Sequence, residues 1–61
     1  MVVINKVKYE SYLEVCNAFD ISYVDLIKYR QINAGISELE LLGHFINNIA
    51  YRVDIGEYVI V

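Results

Sequence analysis

The order of apolar and polar residues divides the chain into a strand region, three helical regions and a second strand region. Residues 2–9 hold mostly β-branched and aromatic residues on either side of Asn5 and Lys6, and such residues favour strands. Asparagine tolerates the positive φ angle that a two-residue turn requires. We therefore predict a β-hairpin over residues 2–9, with a single kinked strand as the alternative.

Two later stretches repeat their apolar residues at intervals of three and four, which is the spacing of one helix face. The stripes are Tyr12, Val15, Cys16 and Phe19 in one stretch, and Leu42, Phe45, Ile46 and Ile49 in the other. Between them, Ile21 and Leu26 have the spacing of a hydrophobic staple at the start of a helix, and Ile27 joins Leu26 on the inner side. These patterns predict helices over residues 12–19, 23–32 and 38–50.

A serine precedes each predicted helix. Ser11, Ser22 and Ser37 are each followed three residues later by a carboxylate, which is the spacing of a capping box. The serine oxygen can accept a hydrogen bond from a free backbone N–H of the first turn. Asp20 lies where a helix often ends in left-handed geometry, so residues 20–22 predict a tight, helix-turn-helix-like joint between the first two helices.

The tail, residues 51–61, returns to strand composition. Residues 54–57 could form the turn of a second hairpin, or Gly56 could be a bulge within one strand. An apolar strand at a chain end has an open edge, which could pair with the N-terminal hairpin or with the same strand of a second subunit. The predicted dimer or partner surface comprises Tyr51, Val53, Tyr58, Val59, Ile60 and Val61.

Length and composition indicate a single small α+β domain. The chain has 61 residues, 57% of them hydrophobic, and a core of this size is marginal by itself. The surplus of apolar side chains favours a homodimer or a surface kept for a partner. A monomer is the alternative if the six tyrosines lie half exposed.

Charge and cysteine content restrict the compartment and the partners. A net charge of −3 opposes strong non-specific binding to nucleic acid. Because Cys16 is the single cysteine, an internal disulfide is excluded, which fits a reducing cytoplasm. We expect its thiol to be buried and inert. We expect no signal peptide and no membrane insertion, because the longest uncharged run, residues 41–51, is too short to span a bilayer.

No set of residues indicates a reaction. His44 is the only histidine and lacks cysteine or histidine partners at metal-ligand spacing, so we expect a partly buried structural residue. Glu38 and Glu40 open a helix and favour its dipole rather than forming an acid–base pair. Neither a nucleophile constellation nor a phosphate-binding loop is present. We predict a protein that is not an enzyme and has no metal or cofactor.

Positions between Ile4 and Phe45 match a pattern of a short strand pair, a tyrosine, a serine-capped helix, a tight turn before Ile-Ser, a second helix, and Gly-x-Ser before a third helix. They are Tyr9, Ser11, Glu14, Cys16, Ala18, Ile21, Ser22, Val24, Ile27, Gly35, Ile36, Ser37 and Glu38. The pattern resembles small helix-turn-helix modules of bacteriophages and mobile elements, such as the nuclease-associated modular repeats of homing endonucleases. Asp20 stands where that family commonly has glycine, and the second helix carries fewer cations than is usual in the family.

The resemblance implies that the second helix reads DNA in the major groove. It also implies a cytoplasmic protein, which would act in the host cytoplasm if it is phage-encoded. The residues it assigns to bases or phosphates are Lys6, Lys8, Ser22, Tyr23, Asp25, Lys28, Tyr29, Arg30 and Gln31. On this hypothesis Lys28 and Arg30 are exposed together. The alternative is that these are ordinary solvated residues of an amphipathic helix.

Two functions therefore remain. The first is a small DNA-binding or regulatory module, expected to be dimeric. The second is an acidic protein-interaction module, such as a phage-encoded inhibitor of a host or defence protein. It would cover a basic surface of its partner. The carboxylates assigned to that role are Glu10, Glu14, Asp20, Asp25, Asp54 and Glu57.

Overall fold

Two β-hairpins enclose three helices along the chain in the computed structural model, which describes residues 1–61. The strands are β1 (Val2–Ile4), β2 (Val7–Tyr9), β3 (Ile49–Arg52) and β4 (Glu57–Ile60). The helices are α1 (Tyr12–Phe19), α2 (Tyr23–Ile32) and α3 (Glu38–Phe45). The four strands form one sheet in the order β2-β1-β4-β3, so the predicted α+β class is confirmed. None of the helices has the length and apolar character needed to cross a membrane.

Asn5 forms the turn of the N-terminal hairpin and also joins that hairpin to β4. Asn5 and Lys6 have φ angles of 49° and 70°, the left-handed pair expected of a two-residue hairpin turn. The Asn5 backbone N–H donates to the Tyr58 carbonyl at 2.9 Å, and Asn5 Oδ1 accepts from the Ile60 N–H at 3.0 Å. The turn prediction is confirmed, and its asparagine has a second role beside β4.

The tail forms a second hairpin rather than one bulged strand. Its loop closes through a 2.8 Å hydrogen bond from the Gly56 N–H to the Arg52 carbonyl, with Gly56 at a φ of 67°. β4 then pairs with β3 on one side and runs parallel to β1 on the other. Of the two pairings considered for the tail strand, the one with the N-terminal hairpin is confirmed. β4 has no free edge for the same strand of a second subunit.

The third helix ends five residues before the predicted limit of residue 50. Ile46 is already extended, with φ −119° and ψ 114°, and Asn48 adopts a left-handed φ of 63°. Asparagine favours such turns, and the following residues Ile49–Arg52 pair with β4. The apolar spacing misled the prediction because Ile46 and Ile49 also reach the core, but from an extended segment.

Buried side chains lie between one face of the sheet and the helices. The larger cluster comprises Val2, Ile4, Val15, Leu42, Ile46 and Tyr58, and a smaller one joins Cys16, Leu26 and Leu41 of the three helices. Val3, Ala50 and Val59 alternate with the inward residues, are half-buried and belong to neither cluster. The sheet therefore has one covered face and one open face.

The joint between α1 and α2 is as tight as the sequence predicts. Asp20 is left-handed, with φ 56° and ψ 45°, and the Ile21 N–H donates to the Cys16 carbonyl at 2.8 Å. Ser22 and Ser37 accept hydrogen bonds from the backbone N–H three residues later, at 3.4 and 3.1 Å. Ser11 makes no such bond; Glu14 instead accepts from the Glu10 N–H at 2.7 Å. Three residues thus turn the chain from α1 into α2.

Candidate functional site

Helix α2 carries apolar side chains on two opposite sides. Leu26 on the inner side is completely buried between the helices, whereas Val24 and Ile32 are 60% and 82% exposed. Val24, Lys28 and Ile32 are spaced four residues apart and therefore share one face. We call this surface, with the adjoining Asp25 and Gln31, the α2 outer face. No other element of the fold covers it.

The predicted DNA-binding residues on α2 do not all share that face. Asp25, Lys28 and Gln31 are exposed on it. Ser22 uses its hydroxyl to cap the helix. Tyr23, 41% exposed, precedes the outer face and borders a depression described below. Ser22 and Tyr23, to which the sequence assigned contact roles, are exposed but lie beside the outer face.

Lys28 and Arg30 are both exposed but point to opposite sides of α2. Two residues along a helix correspond to a rotation of about 200°. The Arg30 guanidinium lies 5.6 Å from the centre of the Tyr12 ring on α1, a cation–π arrangement. Lys28 and Arg30 are thus both exposed, as expected, but they do not form one patch, because Arg30 is directed towards α1.

Tyr29 belongs to the contact between α2 and α3. Its ring stacks on His44, with centroids 3.9 Å apart and planes at 15°, and meets the edge of Phe45 at 5.8 Å. Tyr29 is half-buried against the smaller core cluster and is not part of the α2 outer face. His44 itself is exposed rather than partly buried, although its ring is covered on the side of Tyr29.

Lys6 and Lys8 lie on the N-terminal hairpin, away from the α2 outer face. Lys6 is part of the turn, and Lys8 pairs across the strands with Val3 on the open face of the sheet. The helices cover the opposite face, where Val2 and Ile4 are buried. The four cations assigned to DNA are therefore distributed over three directions.

A carboxylate held by two tyrosines connects α1, α3 and the sheet. The Tyr12 hydroxyl donates to Glu38 Oε2 at 2.6 Å, and the Tyr58 hydroxyl donates to Glu38 Oε1 at 2.8 Å. Burial, and then the hydrogen bond and charge of Glu38, raise the pKa of Tyr12 to about 12, and Arg30 opposes this in part. The same causes raise the pKa of Tyr58. We call these three residues the Tyr–Glu–Tyr cluster.

Two open depressions share Ile27 and Arg30, and the smaller of them adjoins this cluster. The larger, about 540 Å³, extends from Arg30 to Gly35 and Ile36, and the smaller, about 340 Å³, extends to Tyr12 and Glu38. Arg30, Glu10 and Glu38 all line the smaller one. No group of three or more His, Cys, Asp or Glu residues is arranged to hold a metal ion.

The predicted partner surface of the tail divides into buried and exposed parts. Tyr58 is 7% exposed, and Val59 and Ile60 are half-buried within β4. Tyr51, Val53 and Val61 are exposed. Neither the cluster nor the exposed apolar side of α2 was predicted. Only the second had a sequence signal, since Val24, Leu26 and Ile32 cannot share one face of a helix.

Comparison of the chain with protein-family models, curated proteins and solved structures found no match.

Proposed function

We propose that this protein is a non-enzymatic DNA-binding or regulatory module that presents the α2 outer face to the major groove. The observation that carries the proposal is that this face is uncovered and combines Lys28 and Gln31 with Val24 and Ile32. Lysine and glutamine can hydrogen-bond to base edges, and apolar side chains can contact the methyl group of thymine. The three-residue joint between α1 and α2 is also the length typical of a helix-turn-helix.

The charge distribution limits how strongly one copy can bind. Lys28 is the only cation of the α2 outer face, and Asp25 lies beside it. The net charge of −3 repels the duplex at long range. Because each phosphate contact contributes a slope of about −0.9 to the dependence of log K on log salt, we expect a slope of only about −1 to −3. Contacts with base edges must then supply most of the discrimination between DNA sequences.

A titration of a fluorescent mixed-sequence duplex, followed by anisotropy at low and near-physiological salt, tests the proposal. The variants Lys28→Gln and Arg30→Gln form a matched pair, since each removes one positive charge from α2. We expect Lys28→Gln to weaken binding at least tenfold more than Arg30→Gln, because only Lys28 lies on the outer face. Circular dichroism of both variants verifies that the helices remain folded.

Two other outcomes would contradict parts of the proposal. Equal losses in the two variants would mean that binding follows the overall charge and not the α2 outer face. No binding by the wild-type protein at low salt would contradict the DNA proposal itself.

A second function, a protein-interaction module, is favoured by the surplus of unpaired carboxylates. Lys28 and Arg30 are among only four cations that lack a carboxylate partner, since Arg52 is paired with Asp54 at 2.5 Å. Five carboxylates have no hydrogen bond or ion pair: Glu10, Asp20, Asp25, Glu40 and Glu57. This surface is suited to a partner with a basic face.

Capture from a nuclease-treated cell extract tests the second function. Nuclease removes nucleic acid that could bridge two proteins. We expect a basic protein to be retained by the wild type, released by high salt, and retained less by a variant with Asp20→Asn and Asp25→Asn. Duplex binding by the purified chain, together with no captured protein, would contradict this function.

A further inference from the structure

Strand β3 leaves one edge of the sheet open. In an antiparallel pair, successive residues direct their backbone groups alternately towards and away from the neighbouring strand. The Asn48 carbonyl accepts from the Val61 N–H at 2.9 Å, and the Arg52 carbonyl accepts from the Gly56 N–H, so both point towards the β4 side. Ala50 shares their orientation. Ile49 and Tyr51 therefore direct their N–H and C=O groups to the open edge.

We propose that a second copy of this chain pairs antiparallel with β3 and extends the sheet to eight strands across a two-fold axis. An exposed row of unpaired backbone donors and acceptors is a template for another strand. An isologous contact uses the same edge on both copies, so one edge satisfies both partners and leaves only the two outer β2 edges free.

The other edge of the sheet explains why the pairing is assigned to β3. Strand β2 has three residues, and its central residue, Lys8, places a charge where a second strand would approach. Lysine on a short edge strand is a common protection against pairing. The middle of β3, Ile49 to Tyr51, has no charged residue. Tyr51 is 44% exposed beside it, and Val53 in the adjoining loop is 84% exposed.

The alternation of β3 also determines the register. If Ala50 lies on the two-fold axis, Ile49 of each copy is opposite Tyr51 of the other, and these two pairs exchange four backbone hydrogen bonds. Ala50 then meets its own equivalent at a non-hydrogen-bonded position, where strands approach most closely and a methyl group fits. Arg52 lies opposite Asn48 of the second copy, so like charges do not face each other.

The dimer does not depend on DNA binding, but it would fix how two DNA-binding surfaces are arranged relative to each other. Two α2 outer faces related by a two-fold axis are what a palindromic site requires. The same axis would present two identical acidic surfaces if the partner is a protein. The fused sheet thus deepens either function while remaining testable by itself.

Light scattering during gel filtration, on the full chain at micromolar to submillimolar concentrations, measures the state of the wild type and of two variants. Ala50→Lys places two lysines opposite each other at the axis. Ile32→Lys adds the same charge on the exposed side of α2. We expect the wild type and Ile32→Lys to be dimers and Ala50→Lys to be a monomer. A monomeric wild type would overturn the proposal, as would a dimer that Ala50→Lys retains.

Disulfide trapping gives a second measurement, which detects formation of the dimer and not its disruption by a variant. Ala50→Cys places two thiols across the axis, whereas Lys8→Cys places one on the opposite edge of the sheet. Cys16 is 1% exposed and does not compete. We expect rapid formation of a covalent dimer with Ala50→Cys under mild oxidation and at least tenfold slower formation with Lys8→Cys. Equal rates would mean random collision and would overturn the assigned register.

Discussion

The Tyr58 hydroxyl donates a 2.8 Å hydrogen bond to the carboxylate of Glu38, and so links a central strand of the sheet to the first turn of α3. The helix dipole already favours a carboxylate at that position. Tyr12 occupies the second oxygen of Glu38 from α1. Three elements distant in sequence are therefore held by one acidic side chain.

Replacing Tyr58 by phenylalanine removes this bond and keeps the ring that lies in the core. We expect a loss of about 1 kcal/mol in the free energy of unfolding, because Glu38 is exposed and water can replace the missing donor. Urea denaturation of Tyr58→Phe and of Tyr23→Phe measures the effect. Tyr23 makes no hydrogen bond through its hydroxyl, so its variant should match the wild type; equal losses would exclude a role for the bond with Glu38.

Alkaline pH should weaken the fold through the same cluster. Burial and Glu38 raise the pKa of Tyr12 from 10 to about 12, so the folded chain holds this proton more tightly than the unfolded chain. The resulting stability is complete below pH 10 and decreases as the pH rises from 10 through about 12. Denaturation at a series of pH values should show a smaller alkaline loss in Tyr12→Phe. A curve identical to that of the wild type would contradict the assignment.

Substitution of the two neighbouring turn residues, Asn5 and Lys6, by glycine should change the stability of the protein in opposite directions. Lys6 has a φ of 70°, so Lys6→Gly should stabilise the hairpin by about 0.5–1 kcal/mol. Asn5→Gly keeps the turn geometry but removes the acceptor of the Ile60 N–H, and should destabilise the protein by about 1 kcal/mol. Thermal unfolding distinguishes them. If both variants are stabilised, the bond from Ile60 contributes nothing.

Asp20 is a second left-handed residue at which glycine should stabilise the fold. Its φ of 56° costs an aspartate more than a glycine, so Asp20→Gly should add about 0.5–1 kcal/mol to the free energy of unfolding. Asp25→Gly, within the first turn of α2, should instead destabilise by about 1 kcal/mol. Urea denaturation compares the two. A loss in Asp20→Gly would indicate that its carboxylate has a stabilising role that the structure does not show.

Local signals explain which parts of the fold the sequence predicts. The limits of α1 and α2 agree with the prediction because Asp20 ends α1 and Ser22 caps α2, and both effects depend only on the neighbouring backbone. The end of α3 does not, because Ile46 and Ile49 satisfy a helical spacing while lying in an extended segment. The parallel pairing of Ile4 with Tyr58 spans nearly the whole chain, and no local signal determines it.

The candidate site was less predictable than the fold for the same physical reason. Tyr12 and Tyr58 meet Glu38 across 26 and 20 residues of sequence, and neither spacing is a recognisable motif. The opposite directions of Lys28 and Arg30, in contrast, follow from helix geometry and could have been derived from the sequence. The position of Arg30 over Tyr12 required the packing of α1 against α2.

The parallel contact between β1 and β4 has a consequence for synthesis on the ribosome. β1 leaves the exit tunnel first, yet its neighbour in the middle of the sheet is the last strand of the fold to be translated. Until β4 emerges, Val2 and Ile4 lack Tyr58, and Glu38 lacks one of its two donors. We therefore expect chains that stop before residue 57 to remain sensitive to proteases, and protection to appear in one step only after β4 has left the tunnel.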